Sequence, residues 1–199
     1  MIEVRPDRPV RDVLPPKSVF LAGTIDLGNS ANWQRKFRDS LLDFDVAVFN
    51  PRRDTWSGDA SIDNPEFVRQ VEWELKYLEF ADIIVMNILG SSKSPISLLE
   101  LGLFAQTGKL RVYVPANFYR YGNVEVVCRK YGVPMYPHMD SLIAAVRGEL
   151  HALNETPCLH CDHPLGSHSH ESLDALGKCI ERVDGELCGC RHYVRKLKG

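Results

Sequence analysis

Cysteine and histidine are concentrated near the C-terminal end of this 199-residue sequence. Five of the six cysteines and six of the seven histidines lie between residues 151 and 199. Tetrahedral zinc takes thiolate and imidazole ligands at such short spacings, and a Cys-x2-Cys pair is typical of zinc sites. The pattern predicts a structural site for one or two zinc ions, with Cys158, Cys161, Cys188 and Cys190 as its main ligands, and Cys179, His163 and His168 next.

Residues 154–199 are expected to form a small module that follows a main domain at residues 1–153. A segment of this length has too little apolar core to fold alone, so zinc would supply its stability. The charges of the module nearly cancel, which excludes a polybasic arm. Its closing residues 191–198 are basic and include one tyrosine. They suit contact with a nucleic acid or a partner protein, or they are a solvated terminus.

One carboxylate stands out in the main domain. Glu100 lies within the segment PISLLELG (95–102), in the first turns of a predicted helix that ends at Gly108. Leu99 and Leu103 are four residues apart and are expected to face the core. A carboxylate near a helix N-terminus is stabilised as the anion, which suits a nucleophile. The structural alternative is that Glu100 serves only as a helix-dipole or capping partner.

The elements that must position these residues alternate along the chain. Short apolar segments predict five strands, and helices lie between them. Parallel strands need such crossovers, so the pattern predicts an α/β fold with helices on both faces of the sheet. We expect a flavodoxin-like, doubly wound five-stranded parallel sheet in the order 2-1-3-4-5. The predicted strands are residues 18–22, 46–49, 82–88, 110–114 and 134–136.

Polar segments follow four of these strands. Ligands of such sheets bind beyond the carboxyl ends of the strands, so we expect the four segments to line one crevice. They are residues 23–26, 50–53, 87–97 and 115–123, and they include Gly23, Thr24, Asp26, Asn50, Arg52 and Arg53.

The same segments carry a resemblance to a known family. The chain resembles the nucleoside 2-deoxyribosyltransferases, particularly their deoxyribosyltransferase-like branch. The matching pieces keep the family's order and span about residues 18 to 135. They are VFLAGTID (19–26), NPRRDTW (50–56), QVEWELKYLEFAD (70–82), SPISLLELGLFAQTGK (94–109) and FYRYGNV (118–124).

The resemblance implies that a glutamate attacks C1′ of a 2′-deoxynucleoside, expels the base and passes deoxyribose to another base or to water. Glu100 matches that glutamate. Glu74 matches a supporting family aspartate that helps to protonate or orient the leaving base. A second family aspartate, six residues before the nucleophile, corresponds here to Ser94. Ser97 can replace one hydrogen bond of that aspartate but not its charge.

The resemblance also implies binding roles. Asp26 lies where the family contacts its ligand, and Asn123 matches a residue that the family supplies across a subunit boundary, which implies a homo-oligomer. Arg52 and Arg53 suit a 5′-phosphate, or they form surface ion pairs. Finally, stacking on a base and ordinary packing both remain open for Trp56 and Tyr119.

Composition limits the remaining choices. The formal charge of −2 gives no global argument for binding nucleic acid or an anionic membrane. No apolar run approaches the roughly 20 residues that span a bilayer, and the N-terminus does not read as a secretory signal, so we expect a soluble, cytoplasmic protein. Three functions remain open: deoxyribosyl transfer between bases, hydrolysis of nucleoside 5′-monophosphates, and nucleotide binding without catalysis through a zinc tail that docks to a partner.

Overall fold

The computed structural model describes residues 1–8, 14–15, 17–26, 30–53 and 60–154, and the backbone of four short strands between residues 168 and 187. Strands and helices alternate from β2 to α4 as predicted. The elements are β1 (Ile2–Val4), β2 (Ser18–Gly23), α1 (Trp33–Asp39), β3 (Ala47–Phe49), α2 (Pro65–Phe80), β4 (Ile83–Asn87), α3 (Pro95–Phe104), β5 (Leu110–Tyr113), α4 (Tyr121–Tyr131) and α5 (Met139–Asn154), then β6 (His168–His170), β7 (Leu176–Cys179), β8 (Arg182–Val183) and β9 (Glu186–Leu187).

The main sheet is parallel and has the order β1-β3-β2-β4-β5. Its four strands β3-β2-β4-β5 lie in the predicted order, but the identity of the fifth strand was wrong. Ile2–Val4 pairs beside β3 as an edge strand, although the charges and prolines of residues 1–11 obscured it. Residues 134–136 form only one bridge, from Met135 to Val112, because Pro134 has no N–H to extend a ladder.

Helices cover both faces of the sheet. Strand β4 shows the division, since Ile84 and Met86 face one core while Ile83 and Val85 face the other. The first core includes residues of α2, α3 and α4, and the second includes residues of α1 and α5. The doubly wound arrangement is therefore confirmed. No helix among the described residues is long and apolar enough to cross a bilayer.

Helix α3 presents a different face to the core than expected. Leu99 and Leu103 are 59% and 56% exposed, whereas Glu100, Leu101 and Phe104 are buried. The prediction was wrong because both faces of this helix are apolar, so spacing alone cannot select the inner one. As a result the carboxylate points inward and an apolar stripe faces outward.

Asp82, which immediately precedes β4, is hydrogen-bonded to Ser18, the first residue of β2. The Asp82 carboxylate accepts hydrogen bonds from the Ser18 amide at 2.9 Å and from the Ser18 hydroxyl at 3.0 Å. In return, the Asp82 amide donates to the Ser18 hydroxyl at 3.1 Å. This exchange fixes the amino ends of β2 and β4, which places their carboxyl ends side by side at the opposite edge.

Candidate active site

A chain of hydroxyl groups joins the ends of β2 and β4. The Thr24 and Ser94 hydroxyl oxygens lie 2.6 Å apart, and the Ser94 hydroxyl donates to the Ser92 hydroxyl at 2.9 Å. The Ser92 hydroxyl donates in turn to the Asp26 carboxylate at 2.7 Å. The Leu89 amide donates to the Thr24 hydroxyl at 2.9 Å, which leaves the Thr24 proton for Ser94. The chain therefore runs in one direction and ends on a carboxylate.

Backbone strain is found at two members of this chain, Asp26 and Ser94. Asp26 has φ 46° and Ser94 has φ 42°, and they are the two non-glycine residues with positive φ among the described residues. Such conformations cost on the order of 1–3 kcal/mol each and cluster at functional sites. Strain at two hydrogen-bonded segments therefore makes this edge of the sheet a candidate functional site.

Gly23 allows β2 and β4 to come close where they enter the site. A Cβ at this position would lie 2.1 Å from the Asn87 carbonyl oxygen, and the residue has φ 130°. The next residue is held as well, because the Thr24 carbonyl accepts a hydrogen bond of 2.9 Å from the Trp33 indole. A glycine at this position therefore permits a close approach of the two backbones that a side chain would block.

Helix α2 contributes the Glu74 carboxyl group and the Gln70 side chain that is hydrogen-bonded to it. The Gln70 side-chain amide donates to the Glu74 carboxylate at 2.6 Å and to the Pro51 carbonyl at 3.1 Å. Gln70 thus ties Glu74 to the segment that follows β3. The Gln70 carbonyl oxygen and the Trp73 indole nitrogen are buried on the same helix, and neither has a hydrogen-bond partner within the described parts of the chain.

Glu100 is 9% exposed and faces this helix from α3. Burial, and to a smaller extent the negative charge of Glu74, together raise its pKa to about 8. The pKa of Glu74 is also raised by burial, against the lowering effects of the Gln70 hydrogen bond and the Arg53 charge. The two carboxyl groups therefore interact, and the pair keeps a proton to a higher pH than exposed carboxyl groups do.

The expectation that the helix dipole keeps Glu100 ionised was wrong. Glu100 is the sixth residue of α3, about 9 Å along the axis from Ser94, and the field of a helix end falls off within its first turn. Desolvation, which favours the neutral carboxyl, dominates at this depth.

The Arg52 and Arg53 side chains have different ion-pair and hydrogen-bond partners. Arg53 forms an ion pair with Glu66 at the start of α2, and its charge acts on Glu74. Arg52 instead donates to the carbonyl oxygen of Ser30 at 2.9 Å and to its hydroxyl at 3.2 Å. The two side chains therefore contact different parts of the protein.

The other predicted binding residues are spread around the crevice. Asn50 is buried and donates to Glu3 at 2.8 Å. Ser97 is buried on the inner face of α3, three residues before Glu100. Tyr119 is exposed, and its hydroxyl donates to the Lys93 carbonyl at 3.5 Å, near the start of α3. Asn123 is exposed on α4. Trp56 lies outside the described residues.

Two residues of the site were missed at the sequence level. Gln70 lies four residues before Glu74, so helical spacing could have paired them. Ser92 lies in the polar segment after β4, but its role depends on the turn that brings it to Asp26. That turn is not visible in the residue types.

The predicted zinc ligands fall mostly outside the described residues. Cys158, Cys161, His163, Cys188 and Cys190 are among those not described. The backbone pairs β6 and β7 in antiparallel register, with His168 opposite Cys179. Within the described part of the chain, no group of three or more His, Cys, Asp or Glu residues could hold a metal ion.

Comparisons with known proteins agree with this architecture. The family model described as "Nucleoside 2-deoxyribosyltransferase like" matches residues 16–118, which is more than half of the chain. A conserved protein from Enterococcus faecalis V583 superposes with a TM-score of 0.51 at 9% identity, over 67% of this chain and 98% of that one, and so shares the fold.

A second solved structure is a 2-deoxyribosyltransferase from Bacillus psychrosaccharolyticus. It aligns with a TM-score of 0.38 at 21% identity, over 48% of this chain and 71% of that one. No curated protein matches the chain.

Proposed function

Because the chain belongs to the nucleoside 2-deoxyribosyltransferase-like family, we propose that it cleaves the N-glycosidic bond of 2′-deoxynucleosides or their 5′-monophosphates and transfers deoxyribose to another nucleobase. The observation that carries this proposal is the interaction between Glu74 and Glu100, which raises the pKa of Glu100 beyond the effect of burial. Two carboxyl groups at one site supply the acid and the nucleophile that glycosidic cleavage needs.

In the proposed reaction, the two carboxyl groups share one proton. The C1′–N bond breaks, the departing base takes this proton, and a Glu100 oxygen forms a bond to C1′. An acceptor base then attacks C1′, releases Glu100 and returns its own proton to the pair. Burial supports this scheme because it keeps one proton at the site near neutral pH.

The polar groups around the carboxyl pair suit a nucleoside. Gln70 and Trp73 offer a buried acceptor and a buried donor, and a heterocyclic base can satisfy both. We assign Asp26, Ser94 and Ser97 to the sugar, because the hydroxyl chain delivers a carboxylate to the strand ends. Tyr119 stands at the exposed side, where it could stack on a base.

Two alternatives share this crevice. Water instead of a second base would make the protein a hydrolase of nucleoside 5′-monophosphates. The other alternative is a module that binds nucleotides without catalysing a reaction. It is compatible with Ser94, which stands where the family has an aspartate. The carboxyl pair favours catalysis, because two interacting acidic groups with raised pKa values are typical of acid–base sites, whereas ligand binding alone does not require them.

The direct test measures base release by chromatography. Purified wild-type protein and Glu100→Gln are incubated with deoxynucleosides and their 5′-monophosphates, with and without free adenine or cytosine. We expect release that requires the acceptor base and falls by roughly 10³-fold or more in the variant. Glu72→Gln is the matched control, because Glu72 is exposed on α2.

Each alternative has its own outcome in this assay. Release without an acceptor base would indicate the hydrolase. Binding without release by the wild type would contradict catalysis, and retention of activity by Glu100→Gln would contradict the proposed nucleophile.

We also propose that residues 154–199 bind zinc through the cysteines and histidines named above. The Cys-x2-Cys spacing supports the proposal, as does the backbone register that pairs His168 with Cys179. Metal analysis of the purified chain tests it. We expect one or two zinc ions per chain, and less zinc in a Cys158→Ser, Cys161→Ser double variant; Cys128→Ser is the control, because Cys128 is buried in the main domain. A metal-free chain would contradict the proposal.

A homo-oligomer is the proposed assembly. Ile96, Leu99 and Leu103 form the apolar stripe on α3, each more than half exposed. Asn123 is also exposed, as a residue supplied to a neighbouring subunit must be. Light scattering should show an oligomer that a Leu99→Asp, Leu103→Asp double variant dissociates, whereas Leu42→Asp, on another exposed leucine, does not. A monomeric wild type would contradict this assembly.

A further inference from the structure

A second cavity lies beyond the carboxyl ends of β1 and β3, where the sheet meets the start of α1. Its volume is about 210 Å³. All six residues that line it are polar and four are arginines. They are Arg5, Asn32, Arg35, Arg38, Asn50 and Arg52. Neither Glu74 nor Glu100 is among them, so this cavity is distinct from the carboxyl pair.

Acidic residues contact some of these arginines from outside the cavity. The Glu3 carboxylate lies 3.2 Å from Arg38, and Asp7 lies 3.5 Å from Arg5. Asp39 contacts both Arg38 and Arg35. These carboxylates hold the guanidinium groups in position, yet among the described residues no carboxylate lines the cavity itself. Its walls therefore present hydrogen-bond donors and positive charge.

The size and the donors of this cavity select a class of ligand. Sites for whole drug-sized molecules usually enclose about 300–1,000 Å³, so a cavity of about 210 Å³ suits a small group. Guanidinium groups bind the oxygens of phosphate in pairs of parallel hydrogen bonds. We propose that the cavity lined by Arg5, Arg35, Arg38 and Arg52 binds a phosphoryl group.

The cavity and the carboxyl pair share the segment that follows β3. Asn50 and Arg52 line the cavity, whereas the Pro51 carbonyl accepts from Gln70, the partner of Glu74. The phosphoryl group therefore has two possible sources. It is the 5′-phosphate of a nucleotide substrate, which rests on the proposed function, or it belongs to a separate ligand that does not.

Isothermal titration calorimetry with inorganic phosphate tests the site without any turnover. We expect saturable binding to the full-length chain that weakens at least tenfold in Arg52→Gln and in Arg35→Glu. The Arg35 side chain is 74% exposed, so its variant should remain folded. Arg129→Gln is the matched control, because Arg129 is exposed on α4, away from the cavity, and should bind like the wild type.

Two results would overturn the proposal: no saturable binding by the wild type, or equal affinities in all four proteins. Turnover then distinguishes the sources. A tenfold loss of kcat/KM in Arg52→Gln for the monophosphate, with none for the nucleoside, identifies the 5′-phosphate. Unchanged turnover of both substrates, with phosphate binding lost, identifies a separate ligand. If no variant or wild type turns over any substrate, the proposed function fails while the calorimetry still decides the phosphoryl site.

Discussion

The Thr24 and Ser94 hydroxyl oxygens lie 2.6 Å apart, although 70 residues separate them in the sequence. Through Ser92 this contact continues to the Asp26 carboxylate. Ser94 occupies the position at which the resembling enzymes carry an aspartate. The nearest charge along the hydroxyl chain is on Asp26, three residues after β2, and we propose that this carboxylate compensates for that aspartate.

Replacing Asp26 by Asn should therefore impair catalysis without disturbing the fold. Asparagine tolerates the positive φ of this position, so the variant should unfold at nearly the wild-type temperature. The asparagine oxygen can still accept from Ser92, but loss of the negative charge predicts a fall in kcat/KM of about 10- to 100-fold. Base-release kinetics and thermal unfolding measure the two effects. Unchanged kinetics would remove Asp26 from the site.

The shared proton predicts how activity depends on pH. The pKa of Glu100 is about 8 in the free protein, so the pair loses its last proton as the pH rises through that value. The departing base then has no acid to protonate it, and kcat/KM should fall above about pH 8. A profile of kcat/KM from pH 5 to 10 checks the direction. Activity that instead rises through pH 8 would mean that only the ionised Glu100 matters.

The substitution Glu74→Gln should shift the alkaline limb of this profile, which is the fall in kcat/KM expected above about pH 8. The charge of Glu74 raises the pKa of Glu100, although burial is the larger cause. Without that charge, the pKa of Glu100 falls part of the way toward its ordinary value, and the limb moves to lower pH. The same profile measured on the residual activity of the variant tests this. A limb that stays in place would show that the two groups do not interact.

Burial of Glu100 also affects stability. Between its ordinary pKa and about 8 the folded chain keeps the proton while the unfolded chain loses it, so stability falls as the pH rises through this window. Glu100→Gln carries no such proton. Its free energy of unfolding should rise relative to wild type by up to about 1.4 kcal/mol per pH unit, and level off above pH 8. Urea unfolding at several pH values measures the difference; a constant difference would contradict the raised pKa.

A methyl group at Gly23 should be costly because two effects coincide there. It would collide with the Asn87 carbonyl, and φ 130° disfavours any side chain. We expect Gly23→Ala to lower the free energy of unfolding by about 2 kcal/mol or more. Gly148→Ala is the opposite case, since open space surrounds that helical position, and should raise it by roughly 1 kcal/mol. Urea unfolding of both variants provides the comparison, and equal effects would contradict the argument.

The sequence predicted those elements whose pattern is strong on its own. The apolar run predicted as a strand at residues 82–88 forms β4 in the sheet interior. Strand β1 was missed because three residues bounded by charges carry too little pattern. The inner face of α3 was misjudged because its apolar residues surround the helix. Both features are determined by tertiary packing, which the residue pattern of a short segment does not report.

The site was likewise predictable from the sequence only in part. The strand ends brought Thr24, Asp26 and Ser94 together as expected, because parallel strands place their carboxyl ends at one edge. The raised pKa of Glu100 was not foreseen, since it depends on burial and on the nearby Glu74. Sequence spacing locates a residue on a helix but does not report its solvent exposure.

The two hydrogen bonds donated by Gln70 have a consequence for recognition. Both partners, the Pro51 carbonyl and the Glu74 carboxylate, accept from the amide nitrogen, so the amide cannot turn over without placing oxygen against oxygen. Its carbonyl oxygen is therefore fixed as an acceptor. Any ligand atom that meets this oxygen must carry a hydrogen, as an exocyclic amino group does and a keto oxygen does not. Gln70 would thus discriminate between nucleobases by the polarity of a single edge atom.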